Sequence, residues 1–397
     1  MRSHVCIVGG GLVGLGTARA LRRARPDLRI TLLEKEADLG AHQSTRNSGV
    51  LHCGLYYQPG SARARLAVRG IRSMIAFCDA QGVPYERCGK LVVATEPAEL
   101  PRLQSLFDRG KANGLRGLEL LSAAAAREIE PQVRCVAALR VPEEGIVSFA
   151  AVVRALAREL RSLGVTLCTG SQVVAIRSTT GGWIVRTEQE EIEADYLVTC
   201  AGLHADRVAA LAGERPPARI IPFRGEYYLL APGSALVRHL IYPVPDPSFP
   251  FLGVHFTRMI GGGVECGPNA VLALSREGYR GAKWRPRDAL EALGSPGLWR
   301  FLARYPRQSW RELRRSLSKE LFTETLQRLV PAVQSKDLAL GGSGVRAQAV
   351  LSDGTLVQDF LFVERRSALH VINAPSPAAT ASLAIGDELS MRVLAGS

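Results

Sequence analysis

The sequence contains no apolar run approaching the roughly 18 residues that cross a bilayer, no C-x-x-C pair among its eight cysteines, and few aromatics, 6% of 397 residues. The first absence argues against a transmembrane helix. The second removes the usual zinc and redox-thiol spacings. Several cysteines lie inside apolar runs, where a thiol packs as a small hydrophobe, so a reducing compartment and no metal are expected. The opening residues carry no charged region, apolar region and cleavage site in series, so secretion is not expected. Acidic charge is also in short supply: 50 Lys+Arg against 37 Asp+Glu leave a formal charge of +13. Such a surplus favours anionic partners. The basic residues are spread along the chain, densest near 276–287 and 307–319, and no aromatic-interleaved RNA motif accompanies them, so no nucleic-acid partner is expected. These readings suggest a cytoplasmic protein, with peripheral contact to the cytoplasmic face of an anionic inner membrane left open.

What is present is enough chain to bury a sizeable core in two or three domains, or in one large α/β unit with an insertion. The stretch "HVCIVGGGLVGLGTARALRRARPDLRITLLEKE" reads as a complete β-α-β unit: a buried strand at 5–8, a glycine turn, a helix through 15–23 and a second strand at 30–33. Gly9 allows a tight turn, Gly11 lets backbone approach a pyrophosphate, Gly14 lets helix and strand pack closely, and the helix N-terminus favours phosphate. Glu34 ends the second strand, where a carboxylate accepts from ribose hydroxyls, which argues against a 2′-phosphate. The motif by itself does not separate FAD from NAD. No second copy exists, which favours one tightly held flavin over a two-nucleotide reductase.

A strand ending in Cys200-Ala201-Gly202 and followed by a helix through residue 211 resembles the late segment by which glutathione-reductase-type FAD proteins rejoin the nucleotide domain. Before it come a helix at 150–163, strands at 166–168 and 171–176, and a hairpin-like pair at 183–185 and 191–193. Residues 341–345 read as a strand approach, and Ser376 with Pro377 opens a helix through Arg392. The expected architecture is α/β: a discontinuous glutathione-reductase-type FAD-binding Rossmann domain over residues 1–85, 145–215 and 335–397. A second α+β substrate domain, over 86–144 and 216–334, is built on a mainly antiparallel sheet with strands near 223–230, 239–243 and 251–256. Residues 311–329 read as one amphipathic helix with Trp310, Leu313, Leu317 and Leu321 on one face and Arg311, Arg314, Arg315 and Lys319 largely on the other. Packing of its apolar face on the sheet is favoured over membrane docking.

The stretches "RNSGVLHCGLYYQPGS", "YPVPDPSFPFLGVHFTRMIGGGVECGPNAVLALSREGY", "GVRAQ" and "NAPSPAATASLAIG" resemble the FAD-dependent L-2-hydroxyglutarate dehydrogenases/oxidases, a branch of the D-amino-acid-oxidase-like flavoproteins. The likeness runs from Gly9 to Gly386. One departure is that Thr45-Arg46 stands where the family has Gly-His. The resemblance implies non-covalent FAD, despite Cys53 beside His52, and oxidation of L-2-hydroxyglutarate to 2-oxoglutarate with electrons passed to membrane quinone or oxygen. Related alternatives are glycerol 3-phosphate or an amino acid as substrate. From a different class, a flavin-containing nucleic-acid-binding protein would account for the charge.

Oxidising a 2-hydroxy acid requires a base at the hydroxyl and a hydride acceptor at the α-carbon, and histidine suits a base near neutral pH. The resemblance points to His52, with His255 as the rival; alternation puts His255 and Gly253 on one strand face and Val254 and Phe256 on the other. Cofactor contacts are expected from Gly9, Gly11, Gly14, Glu34, Lys35, Ser44, Arg46, Asn47, Ser48, Gly49, Val173, Ala201, Gly202, Gly344, Val345, Ala378 and Ala379. A small dicarboxylate needs cationic or hydrogen-bonding sockets, for which Arg224, Arg258 and Arg346 are candidates, with Tyr56 and Tyr227 as neutral donors. The helix opened by Ser376-Pro377 aims its positive end at a ligand.

Overall fold

The computed structural model describes residues 3–233, 235–246, 253–279 and 284–395. The amino-terminal unit forms strand His4–Val8, helix Leu12–Ala24 and strand Arg29–Leu33. The two strands pair in parallel. Tyr196–Thr199 and Ala368–Asn373 extend them on one side and Thr166–Cys168 on the other, all parallel, and Leu361–Arg365 adds an antiparallel edge to complete a six-stranded sheet. Both faces are covered, which is why the first strand reads as an unbroken apolar run. Val5 and Ile7 join the core made with the helices, whereas Cys6 and Val8 meet Ile176, Trp183, Val185 and Ile192 of a three-stranded antiparallel meander.

The first helix packs on the C-terminal helix Ala378–Ala395 at very close range: a Cβ on Gly386 would stand 2.3 Å from the Gly16 carbonyl. The same C-terminal helix meets Ala62–Gln81, where a Cβ on Gly70 would lie 2.4 Å from Ala381 Cα.

The second unit is built on a nine-stranded sheet. Its long central pair, Ala218–Leu230 with Leu338–Leu351, is antiparallel. Across the sheet every pairing is antiparallel except that of Leu240–Pro243 with Lys90–Ala94. A small sheet of Val50–Leu51, Gly145–Val147 and Tyr85–Glu86 stands where the two units meet.

Several expectations need correction. Strand Leu338–Leu351 lies in the nine-stranded sheet, so the front of segment 335–397 leaves the nucleotide unit, and only the chain from Leu361 onward contributes to its sheet. The strand expected at 251–256 begins at His255 among the described residues, since 251–252 lie outside them. The single helix at 311–329 is two, Pro306–Leu317 and Lys319–Gln327. Ser318 divides them because its side chain accepts the Leu321 N–H and caps the second helix. The face expected to pack is exposed: Trp310 at 62%, Leu313 at 42% and Leu317 at 79%. Instead Glu312 is buried and pairs with the half-buried Arg315 at 2.9 Å, so the polar side of that helix is the side that packs. The C-terminal helix starts one residue later than expected, with the Pro377 carbonyl accepting from Ala381 N at 2.9 Å. Among the described residues no helix is long and apolar enough to cross a membrane.

Candidate active site

The glycine turn, the end of the second strand and the start of the C-terminal helix converge on one cavity of about 1150 Å3, larger than the roughly 300–1,000 Å3 usual for small-ligand sites. At one end the backbone has been brought close enough to cradle a phosphate chain. Gly9 has φ +114, and a Cβ there would stand 2.3 Å from Cys200 O; at Gly11 it would stand 2.9 Å from Ser44 Oγ. Ser44 Oγ accepts the Leu12 N–H at 2.9 Å, fixing the loop over the helix start. Gly14 faces Gly9 O, where a Cβ would come within 2.0 Å, so it serves helix-strand packing rather than the cavity wall. Glu34 is buried and accepts Gly10 N–H at 2.8 Å and Glu36 N–H at 2.9 Å. A carboxylate has about four acceptor positions, so two remain for ribose hydroxyls. These features fit a dinucleotide.

Of the other expected cofactor residues, Lys35, Ser44, Arg46, Asn47, Ser48, Val173, Ala201, Gly202, Gly344, Val345, Ala378 and Ala379 line this cavity. Gly49 stands behind it at φ +70, its N–H held by Asn47 Oδ1 at 2.9 Å. Arg46, the departure from the family pattern, stacks on Tyr279 with its guanidinium carbon 4.2 Å from the ring centre. Lys35 pairs with Glu277 at 2.6 Å and with Glu36. Glu36, His42 and Glu277 are close enough together to hold a cation, and the Lys35 ammonium already supplies that charge.

At the other end stand His52, His255, Tyr56, Tyr227 and Arg346, all on the cavity wall. His52 follows strand Val50–Leu51, and its backbone N–H bonds Thr380 Oγ1 at 3.2 Å, which in turn donates to Val50 O at 3.1 Å. The start of the C-terminal helix is thereby pinned to the segment that presents the histidine. His52 Nδ1 lies 3.5 Å from Glu144 Oε2. Burial pushes its proton affinity down, and the carboxylate opposes that.

His255 has different surroundings. Its Nδ1 is 2.8 Å from the Gly253 carbonyl, and its ring stacks on Tyr242 at 3.8 Å. Burial pushes its pKa down to about 3, opposed only by that carbonyl. Burial likewise pushes Tyr227 up to about 12 and Tyr56 well above its usual range, so both are neutral hydroxyls at neutral pH. Burial and then Glu144 push the Cys53 thiol well up, making it a poor nucleophile.

Two expected substrate residues point elsewhere. Arg224 pairs with Glu226 at 2.8 Å, two residues along the same strand face. Arg258 makes a bidentate pair with Glu86 at 2.6 and 2.7 Å. Neither lines the cavity. The sequence reading also missed residues that do matter here. Tyr242 and Arg63 are on the wall, with Arg63 stacked on Tyr57 at 4.3 Å and donating to Ser376 O at 2.6 Å. Lys90 and Glu144, fully buried behind His52, pair directly with each other. Arg63 lies only a few residues beyond the quoted histidine motif, which was a usable signal; Lys90, at the start of strand Lys90–Ala94, and Glu144, in the turn before Gly145–Val147, stand in stretches with no motif.

A family model described as FAD dependent oxidoreductase matches residues 4–392. An L-2-hydroxyglutarate dehydrogenase of Indibacter alkaliphilus is 44% identical over 388 residues, 97% of each chain. The protein of that name from Escherichia coli K12 is 45% identical over 98% of this chain and 92% of its own, and the human mitochondrial one 42% over 98% and 89%. Among solved structures, the FAD-bound L-alpha-glycerophosphate oxidase of Mycoplasma pneumoniae superposes with TM-score 0.79 at 24% identity, covering 99% of this chain and 94% of that one. Glycine oxidase of Geobacillus kaustophilus gives 0.74 at 20%, covering 98% and 95%.

Proposed function

Because the chain belongs to the FAD dependent oxidoreductase family, with FAD as its cofactor, we propose that it oxidises L-2-hydroxyglutarate to 2-oxoglutarate, the substrate named for its relatives. The cofactor supplies a two-electron acceptor for the hydride that leaves the α-carbon. The protein's part is to hold the hydroxy acid and take the hydroxyl proton. His52 Nε2 is the acceptor of that proton. The observation that carries this assignment is the carboxylate of Glu144 at the rear of His52: an imidazole that gains a proton in a buried site needs a counter-charge. His255 has a carbonyl in that position, so it stays neutral and accepts a hydrogen bond without becoming a cation.

Arg346 lies on the strand partner of Phe223 and shares the wall with Tyr227 and Tyr242. Its guanidinium takes one substrate carboxylate, with Tyr227 as a neutral companion; Arg63, at the same cavity's rim, is suited to the second. Anaerobic mixing with L-2-hydroxyglutarate, D-2-hydroxyglutarate, glycerol 3-phosphate and a set of amino acids tests the reading through the visible absorbance of the bound FAD. Rapid bleaching by the L-hydroxy acid alone is expected. Bleaching by glycerol 3-phosphate or an amino acid instead would replace the substrate and leave the cofactor.

For the electron acceptor, quinone is favoured over oxygen by the surface of the second unit. Trp299 at 55%, Leu290 at 73%, Trp310 and Leu317 are exposed on successive helices that also carry the exposed Arg311 and Arg314. Indole rings beside cationic side chains suit an anionic lipid interface. Co-sedimentation with phosphatidylglycerol vesicles should fall at least tenfold for Trp299→Ala/Trp310→Ala, while neutral phosphatidylcholine vesicles should bind the parent poorly. Equal binding by parent and variant would remove the membrane from the proposal. Arg315 is unsuited to such a test because it is paired with Glu312.

A further inference from the structure

Two opposite charges are completely buried in this protein at one place, behind His52. Lys90 and Glu144 each have 0% side-chain exposure and contact one another directly. Taking both from water costs several kcal/mol per ion, and a well-packed apolar pair of similar volume is often as stable or more so. The pair stands where three separate segments meet: Lys90 opens a strand of the large sheet, Glu144 precedes Gly145–Val147 of the small one, and His52 follows Val50–Leu51. Glu144 also receives the Cys53 N–H at 3.3 Å, while Lys90 lies 3.9 Å from the centre of the Tyr242 ring, whose other neighbour is His255.

Resting on the assignment of His52 as base, we propose that Glu144 and Lys90 are positioning residues: Glu144 holds the Nδ1 proton of His52 so that Nε2 faces the substrate, and Lys90 offsets part of the Glu144 charge behind it, which tempers how readily His52 is protonated. The proton balance is simple. The substrate hydroxyl proton moves to Nε2, the Nδ1 proton stays where it is, and the resulting imidazolium is countered by a carboxylate that remains ionised. Neither Lys90 nor Glu144 gains or loses a proton. The 3.5 Å separation is long for a hydrogen bond, as such contacts often are before substrate is bound.

Among the described residues, the other charged or titratable groups around this cluster include Arg63 from helix Ala62–Gln81, His255 from strand His255–Arg258, and Cys53, Tyr56 and Tyr242, whose protons burial holds in place. None of these supplies negative charge. The C-terminal helix contributes the neutral Thr380. Glu144 is therefore the anion that favours protonated His52, and Lys90 the cation nearest to opposing it.

Opposite consequences of removing each charge make the test sharp. Glu144→Gln withdraws the negative charge, so His52 loses its proton at lower pH and the acid limb of the flavin-bleaching rate moves to lower pH. The maximal rate should fall about 10- to 10³-fold, because an amide does not fix the tautomer. Lys90→Met should move the same limb to higher pH. The double variant, Lys90→Met/Glu144→Gln, keeps a neutral, similarly sized core and guards against loss of folding. Histidine 15N NMR gives a readout independent of turnover: His52 should be the Nδ1–H tautomer in the parent and a mixture of tautomers in Glu144→Gln.

Unshifted pH profiles in both folded, FAD-containing single variants, with an unchanged His52 tautomer in the double variant, would overturn the proposal and leave the pair purely structural. Equal rate losses from Glu144→Gln with and without His52→Ala would overturn it too, by showing that Glu144 does not act through the histidine. Near-parent bleaching by His52→Ala alone would instead sink the base assignment, while the NMR tautomer still reports on Glu144.

Discussion

The half-buried His52 and the buried His255 stand on the same wall, and what stands behind each ring separates them. With a carboxylate behind it, His52 can become a cation; with only the Gly253 carbonyl, His255 stays neutral at working pH. His52→Ala should retain FAD yet slow bleaching by about 10²- to 10⁴-fold, the usual worth of a general base. His255→Gln should lose about tenfold or less, the worth of one neutral hydrogen bond. Stopped-flow absorbance on both variants decides between them, and the reverse ranking would transfer the base to His255. The two histidines were readable in the sequence because each sits in a distinctive motif. Lys90 and Glu144 were not, since their meeting is made by sheet pairing between distant segments. The fate of Arg224 was legible in principle: residues two apart on a strand share a face, and Glu226 follows at that spacing. Nothing local announces the pairing of Arg258 with Glu86.

The β-α-β unit was the most legible part of the chain because strand period, glycine spacing and terminal acid agree. Where local signals were weaker, tertiary context prevailed. A continuous helical pattern masked the break at Ser318, although a serine ahead of Lys319-Glu320 is a recognisable N-cap. The inference that the apolar side of Pro306–Leu317 must pack failed for another reason: folded proteins expose much apolar surface, and here the Glu312–Arg315 side packs. The contact between the first and last helices was also unreadable, because Gly16 and Gly386 look like ordinary helix glycines until the two meet. Gly386→Val should force those helices apart, at a cost of about 1–3 kcal/mol for overpacking. Thermal unfolding should occur several degrees lower, and the purified protein should carry less FAD. Parent-like melting and cofactor content would show that the helices can separate freely.

Over the whole molecule, five histidines, His4, His42, His52, His255 and His370, bind a proton less readily than a free imidazole, chiefly through burial. The unfolded chain therefore takes up more protons than the folded one once pH falls below about 6.5. Stability should be full above that pH and decline through pH 6 and 5, before most carboxylates titrate. Melting temperature measured between pH 5 and 8 checks this, and His255→Gln should flatten the decline. A melting temperature independent of pH over that interval would contradict the burial of these rings. The close seating of Gly386 on Gly16 has a consequence for biosynthesis. Since domains generally fold as units while the chain emerges N-terminus first, the glycine turn emerges more than 300 residues before helix Ala378–Ala395, on which its own helix is seated. Loading of FAD should thus follow synthesis of that helix, and a nascent chain stalled before residue 378 should present the turn without the wall that closes over the cofactor.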